Sequence, residues 1–596
     1  MLTGSSDDAA ARAAGPADGR AAAPVNGSAP APGPAPAPGS AAAPGSAPDP
    51  GSVADPVASV AAWPRMPPGR DALRLRTALA VALAGGLAMA ASFPPAGVWP
   101  LAVAGPALLT TALWRRSLRG SMLIGLVFGA AFFLPMLTWM INVAWYVFAA
   151  LAGGEALIFS VTAVTLRLLL NLRAWPAAVA LWWVADEALR NRWPFGGFGW
   201  GRLAMSQAGK PAAGWVAIGG VPWLTFLVAA CAAALAWLII NPRPGTGRDL
   251  RAWRPRTGPA VALAVALAVT LGGALLPADP AGRGASTATV AAIQGNVPHA
   301  SSLAGVLRAT TVTANHAAAT ERLARQVAAG QRPDPDLVIW PENSTDIDPS
   351  LDTPVYQTIS AAVQAINRPV LVGAVLDNPV RNAGQLWLPG RGPVATYVKR
   401  KLVPFGEVIP FRGILSKFIS LIKYQPRDFT PGDRAVVFRV GRIRLGDVIC
   451  YEISFDDLVQ SEVSAGANLL AVQTNDASFE VDGQTGETLQ QLDMARIRAV
   501  EFDRAVVVAS TSGVSAIVLP DGSLAQTTGT WVQAELVARV PLRTYRTLAS
   551  RIGDWPEYVL TLAALLALAW ALTVTVAARR TRDRRGTPAA PVTPHA

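Results

Sequence analysis

The run Gly446-Asp447-Val448-Ile449-Cys450-Tyr451-Glu452 decides how this chain reads. Residues 435–440, a turn at Gly441 and residues 443–449 form a predicted hairpin whose second strand ends on Cys450. Cys450 is one of two cysteines in 596 residues. The other, Cys231, lies inside an apolar run that reads as membrane-buried, so no disulfide between the two follows. A free cysteine is most often a buried structural thiol. At a strand end beside a carboxylate it is also a candidate nucleophile.

On either side of this hairpin, short strand-like runs are punctuated by Gly and Pro. Residues 287–293 end in Gln294-Gly295-Asn296, 337–340 in Pro341-Glu342-Asn343, 369–375 in Leu376-Asp377, and 469–472 in Thr474-Asn475-Asp476. Residues 505–509 and 515–519 follow, with a turn at Pro520-Asp521-Gly522. Residues 316–328 and 489–500 carry helical spacing. Alternating strands and helices over about 260 residues predict one α/β domain. Glu342, Asp377, Cys450 and Asn475 recur at equivalent strand ends, where α/β folds commonly assemble their sites.

The rest of the chain is of another kind. It is 52% hydrophobic and 15% charged overall, with a mean hydropathy of +0.34, too apolar for an ordinary soluble protein. Apolar spans run over 77–93, 98–114, 122–141, 147–170, 175–185, 214–240 and 260–276, with an eighth over 559–577. The formal charge is +12, but the arginines sit in short blocks between spans, which argues for membrane topology and against nucleic acid. With all eight spans counted, the blocks at 70–76, 115–119, 167–173, 243–256 and 579–585 all fall on the cytoplasmic side. Dropping the fifth span would put the 243–256 block outside. Both termini are therefore expected inside, with residues 277–555 as a large extracytoplasmic part.

The expected organisation is a disordered Ala/Pro/Gly-rich cytoplasmic tail over 1–65, then a membrane domain of seven helices over 73–276. A catalytic domain over 287–545, an eighth membrane helix over 558–578 and a basic cytoplasmic tail over 579–596 follow.

A cysteine nucleophile needs a base or a cation nearby. The chain has three histidines, His299, His316 and His595, none in a motif-like setting, so a Cys-His pair is not expected. No Cys/His cluster suggests a metal, and no cofactor is implied. A carboxylate base with a lysine would serve instead. Trp340-Pro341-Glu342-Asn343 offers a glutamate just past a strand. The segment from Tyr397 through Lys399 to Pro404-Phe405-Gly406-Glu407 offers a lysine and a second glutamate.

Glu342, Lys399 and Cys450, in that order and context, resemble the Glu-Lys-Cys triad of the nitrilase superfamily. The Pro-Glu-Asn, Lys…Leu-Val-Pro-Phe-Gly-Glu and Cys-Tyr-Glu runs, with the flanking spans, are similar to the bacterial apolipoprotein N-acyltransferase family. The likeness covers about residues 73–578. It includes the stretch from Trp193 to Gly201, followed by Gln207, a membrane-edge motif of that family. The resemblance implies a multi-span membrane protein of about eight helices carrying an extracytoplasmic α/β nitrilase-like αββα sandwich, set in the bacterial inner membrane. It also implies a reaction. Cys450 takes an acyl chain from a phospholipid as a thioester, and the α-amine of a diacylglyceryl-cysteine apolipoprotein then receives it. Glu342 would be base and acid, and Lys399 would support the oxyanion. Glu407 would place the lysine, Glu452 the turn at the nucleophile, and Tyr451 would shape the pocket.

Some positions depart from the family pattern. Ser478 stands where Trp is usual, Gln491 follows Gln490 where His is usual, and Ser512 precedes Gly513 where Asn is usual. A Trp often found shortly after Gly-Asn-Val-Pro is missing near residues 301–303. These departures are expected to touch substrate preference and leave the triad unaffected. Two other readings fit the spans: a membrane-tethered amidase with water as acceptor, and a membrane scaffold for a polyprenol-phosphate glycosyltransferase. The intact triad, and the absence of a transferase domain after the last span, argue against the scaffold. Residues 414–423 repeat apolar side chains every four positions with lysines between, a short amphipathic helix suited either to a lipid headgroup zone or to packing on the domain's own core.

Overall fold

The computed structural model describes residues 71–241, 257–276, 285–298, 306–415, 427–479 and 483–586. The tail over 1–65, the arginine block at 243–256, His299, His595, residues 301–303 and all but the start of the 414–423 segment lie outside these.

A helix stands at each of the eight places read as apolar spans. They are α1 (Leu75–Ala91), α2 (Leu101–Leu113), α3 (Leu118–Met136), α4 (Trp145–Leu169), α5 (Trp175–Arg190), α6 (Val216–Ile240), α7 (Thr257–Leu275) and, last in the chain, Trp555–Gly586. By length and composition, Leu118–Met136, Trp145–Leu169, Pro211–Ile240 and Trp555–Ala578 are long and apolar enough to cross a membrane; α1, α2 and the Ala264–Leu275 part of α7 are shorter apolar helices. The second span shrinks to 13 residues because the chain enters α2 only after Pro100. The fifth runs on to Arg190 and buries Asp186, Glu187 and Arg190. Arg190 donates to Asp186 Oδ2 at 3.1 Å and to Glu155 Oε2 of α4 at 3.3 Å, which compensates the buried charges. Gly125 and Gly129 let α3 and α4 close up: a Cβ on Gly125 would lie 2.3 Å from the Phe159 carbonyl oxygen.

The second part is a two-sheet sandwich. One sheet has the order β12-β1-β2-β3-β4-β5 and the other β11-β10-β9-β8-β7-β6. The first sheet comprises β1 (Ser286–Gln294), β2 (Leu337–Ile339), β3 (Val370–Leu376), β4 (Arg381–Leu388), β5 (Gly392–Val398) and β12 (Ala534–Leu542). The second comprises β6 (Val437–Val440), β7 (Ile443–Ile449), β8 (Leu469–Thr474), β9 (Val506–Ser510), β10 (Ala516–Val518) and β11 (Leu524–Thr527). β1–β2–β3 and β7–β8–β9 are parallel runs, each flanked by antiparallel edges. Between the sheets lie Val290, Ile339, Leu371, Leu445, Ile449, Ala471 and Val507, the alternate positions of their strands.

Helices cover both outer faces. α8 (Val306–Ala328) and α9 (Thr353–Ile366) pack on the first sheet through Leu323, Ile359 and Val363. α10 is the four-residue Arg412–Leu415. α11 (Asp456–Ser464) and α12 (Gly486–Phe502) pack on the second sheet. α13 (Leu548–Ile552) leads into α14 (Trp555–Gly586). The outer core of the second sheet, with Val448, Val472, Met494 and Val508, is continuous with the core of the apolar helices. The sandwich therefore rests on the helical part through one of its own helix layers.

A buried ion network locks that junction. Asp456, at the start of α11, accepts from Arg202 at 2.8 and 2.9 Å and from Arg498 of α12 at 2.6 Å. Arg498 also donates to Glu501 at 2.6 Å, and Glu501 accepts the Val221 N–H of α6 at 3.2 Å. Glu187 of α5 accepts from Arg202, from the Leu203 N–H and from the Thr225 hydroxyl.

Candidate active site

The site forms where strand ends of both sheets meet. Glu342 follows β2, Lys399 follows β5, Cys450 follows β7 and Asn475 follows β8. Asp377, at the end of β3, does not join them: it is exposed on a turn, its N–H donating to Asp348. Glu342, Lys399 and Cys450 are all buried. A Cβ on Gly373 would lie 2.1 Å from the Pro341 carbonyl oxygen, so a glycine in β3 lets the Pro341-Glu342 turn press against the sheet.

Glu342 is held by three donors. Lys399 Nζ lies 2.8 Å and Asn382 Nδ2 2.6 Å from Oε1, and the Asn475 N–H donates to Oε2 at 3.0 Å. The same lysine and asparagine reach Glu407 Oε1 at 3.1 and 2.7 Å. Glu407 Oε2 accepts the Val403 N–H at 2.8 Å, which closes the loop that follows Lys399. Burial raises the Glu342 carboxyl above its ordinary 4.5, Lys399 pulling the other way and Glu407 adding to the rise. Burial alone would lower the Lys399 ammonium, but Glu342, Glu407 and Cys450 hold it well above its ordinary value.

Cys450 has φ +51°, a left-handed conformation uncommon outside glycine. It turns the chain from β7 into a short helical turn over Cys450–Ser454 and lifts the side chain off the strand axis. Such a backbone costs about 1–3 kcal/mol and persists only where its surroundings enforce it. Glu452 does so here. It accepts the Ile449 N–H at 2.8 Å, the Arg400 N–H at 2.6 Å, the Lys401 N–H at 3.0 Å and the Tyr397 hydroxyl at 2.8 Å. One carboxylate thus ties the Cys450 turn to the strand end that carries Lys399. Burial, with the Glu342 carboxylate, pushes the Cys450 thiol well above its usual range, and Lys399 opposes them.

Tyr451 faces the helical part. Its hydroxyl donates to the Gly197 carbonyl at 2.6 Å, and its ring stacks on Trp200 with centroids 5.7 Å apart. The stretch of residues 193–201 therefore packs against the residue next to Cys450. Gln490 spans the same junction, donating to the Pro94 and Met136 carbonyls and accepting from Trp139.

Gln491 Nε2 lies 3.6 Å from Cys450 Sγ and 3.4 Å from Glu487 Oε1. Helical spacing on α12 brings it there, a register that no local motif reveals. Ser478 is exposed, while Phe479 meets Trp139 edge-on at 5.3 Å. Ser512 is buried. Asn382 went unrecognised in the sequence because β4 mixes buried polar and apolar residues. His316 is a core residue hydrogen-bonded to Val312, its imidazole pushed down to about 4 by burial. Among the described residues, no group of three or more His, Cys, Asp or Glu side chains could hold a metal ion.

This arrangement can deprotonate a thiol, hold an ammonium against a developing oxyanion and present both at the edge of an apolar helical layer. The family described as Apolipoprotein N-acyltransferase N-terminal domain matches residues 85–234, and the Carbon-nitrogen hydrolase family matches residues 289–550. An apolipoprotein N-acyltransferase of Mycolicibacterium smegmatis is 34% identical, over 84% of this chain and 86% of that protein. One of Vibrio vulnificus is 27% identical, over 83% of this chain and 97% of that protein. Among solved structures, an amidase from Nesterenkonia sp. is similar at 17% identity and a TM-score of 0.32, over 43% of this chain and 91% of that one.

Proposed function

The chain belongs to the apolipoprotein N-acyltransferase family, and on that premise we propose that it acylates the N-terminal amine of diacylglyceryl-cysteine apolipoproteins with a chain taken from a phospholipid, through a thioester on Cys450. The observation that carries this reading is the buried cluster of Glu342, Lys399 and the Cys450 turn, set against the loops of the apolar helices.

In the first half-reaction Glu342 takes the Cys450 thiol proton as sulfur attacks the ester carbonyl. Lys399 stabilises the tetrahedral oxyanion. The carbon–oxygen bond breaks, Glu342 returns the proton to the departing oxygen, and lysophospholipid leaves. In the second, the α-amine attacks the thioester carbonyl and loses its proton to Glu342. The carbon–sulfur bond breaks, the proton returns to sulfur, and an amide remains. An acyl-enzyme divides one difficult aminolysis into two easier steps. Glu407 and Asn382 position the lysine and the base, and Glu452 holds the turn. The eight helices would cross the bacterial inner membrane with the sandwich on the extracytoplasmic side, a placement supported by the arginine blocks.

Purified full-length protein, given phospholipid and a diacylglyceryl-cysteine peptide, should yield N-acylated peptide. Free fatty acid as the sole product would favour the amidase-like reading, in which water is the acceptor.

A further inference from the structure

A further cation, Lys401, stands on the loop that follows Lys399. The loop after α5 and the loop after Lys399 build one aromatic patch from two separate segments. The Phe195 ring meets Phe405 at 5.7 Å and Phe411 at 6.0 Å, both edge-on. Phe195, Phe405 and Phe411 are 48%, 41% and 68% exposed, and the neighbouring Trp193 is 59% exposed. A cluster of large exposed rings at the end of an apolar helix suits the boundary between water and lipid.

The Lys401 ammonium borders this patch. Its Nζ lies 4.3 Å from the centre of the Phe455 ring. No carboxylate among the described residues lies within 4.0 Å of it. The nearby Arg192 is paired with Glu557 at 2.5 Å and repels Lys401. Gly196 leaves the approach open, since a Cβ there would stand 3.1 Å from Nζ. Half-burial pulls the Lys401 ammonium below its ordinary value, Asp457 opposing and Arg192 adding to the fall. The position is fixed to the nucleophile. The Lys401 N–H is held by Glu452, and Phe455 meets Tyr451, the neighbour of Cys450, at 5.0 Å.

We propose that Lys401 binds the phosphodiester of the donor phospholipid, with its acyl chains lying over Phe195, Phe405 and Phe411. This rests on the acyl-transfer reading of Cys450. A glycerophospholipid joins the required features in the required order: a monoanion, an ester carbonyl a few bonds away, and apolar chains beyond it.

The test uses the full chain with Cys450→Ala, which blocks chemistry, and native mass spectrometry with phosphatidylglycerol or with diacylglycerol of the same chains. Adding Lys401→Met should weaken phosphatidylglycerol retention about tenfold, the scale of one charge-assisted contact. Lys401→Arg should keep most of it, and diacylglycerol retention should not change. Lys401→Gln serves as a second neutral variant should Lys401→Met melt abnormally. Equal loss of both lipids by a normally folded neutral variant, or loss of neither, overturns the proposal. In the Cys450 background, Lys401→Met should raise KM for the phospholipid; weaker retention with an unchanged KM would mark a structural lipid and overturn the donor assignment. Lysine-dependent retention in a protein that forms no N-acylated peptide would instead sink the acyl-transfer reading and leave the phosphate position standing.

Discussion

Lys399 Nζ lies 2.8 Å from Glu342 Oε1, with both side chains buried. Buried in this way, neither charge is tolerable without the other. Lys399→Met would leave Glu342 and Glu407 sharing Asn382 with no cation between them. Acylation of Cys450 should then fall by roughly 10²–10³, the scale of losing one oxyanion-stabilising group. Lys399→Arg should not restore it, because a planar guanidinium cannot occupy the point between the two carboxylates. Single-turnover acylation measures both, and near-normal rates in either variant would contradict the assignment.

The pH profile follows from the raised Glu342 carboxyl. Glu342 acts as base only when ionised. Acylation should therefore fall as pH drops through a value above the ordinary 4.5, and this acid limb should vanish in Glu342→Gln. Lys399, held well above 10.5, should add no limb near neutrality. The Cys450 thiol is raised chiefly by burial, which Glu342→Gln leaves in place while it removes the carboxylate's smaller share, so alkylation of that variant by iodoacetamide should still be slow at neutral pH and climb with alkali. A wild-type limb at or below the ordinary carboxylate value would be evidence against this account.

Asp456 sits between Arg202 and Arg498 at the junction of the sandwich and the helices. Asp456→Ala should destabilise the protein by about 3–5 kcal/mol, because it leaves buried guanidiniums uncompensated. The exposed pair Arg368–Asp334 gives the control: Asp334→Ala should cost no more than about 1 kcal/mol. Thermal melts in detergent compare the two, and equal shifts would show that the network is not what holds the junction.

Topology can be tested in cells. Single cysteines placed at exposed positions of the sandwich, such as Leu351, should react with an impermeant thiol reagent from outside. Cysteines in the 243–256 block should react only after permeabilisation. Reversed labelling would refute the expected orientation.

The parts that could be read in advance share a physical cause. β1, β2, β3, β7, β8 and β9 are buried apolar runs bounded by Gly, Pro or Asn, so their ends, with Glu342, Cys450 and Asn475, stood out. β4, β5 and β12 did not, because β4 buries Asn382, Gly384 and Gln385 and β5 exposes three of its seven residues. Asn382 therefore stayed hidden, although it bridges Glu342 and Glu407. Gln491 could be seen as a departure from a pattern, but its approach to Cys450 depends on how α12 packs against β9 and the Cys450–Ser454 turn. The ion network at Asp456 joins residues more than 250 positions apart, and no local pattern encodes it.

The central claim is that Cys450 carries the acyl chain. Protein purified from membranes and incubated with phospholipid should show, by intact mass and peptide mapping, an increment of one acyl chain on Cys450. The adduct should be released by hydroxylamine, absent in Cys450→Ala and discharged by a diacylglyceryl-cysteine peptide. An unmodified Cys450 in a protein that still N-acylates the peptide would contradict the account.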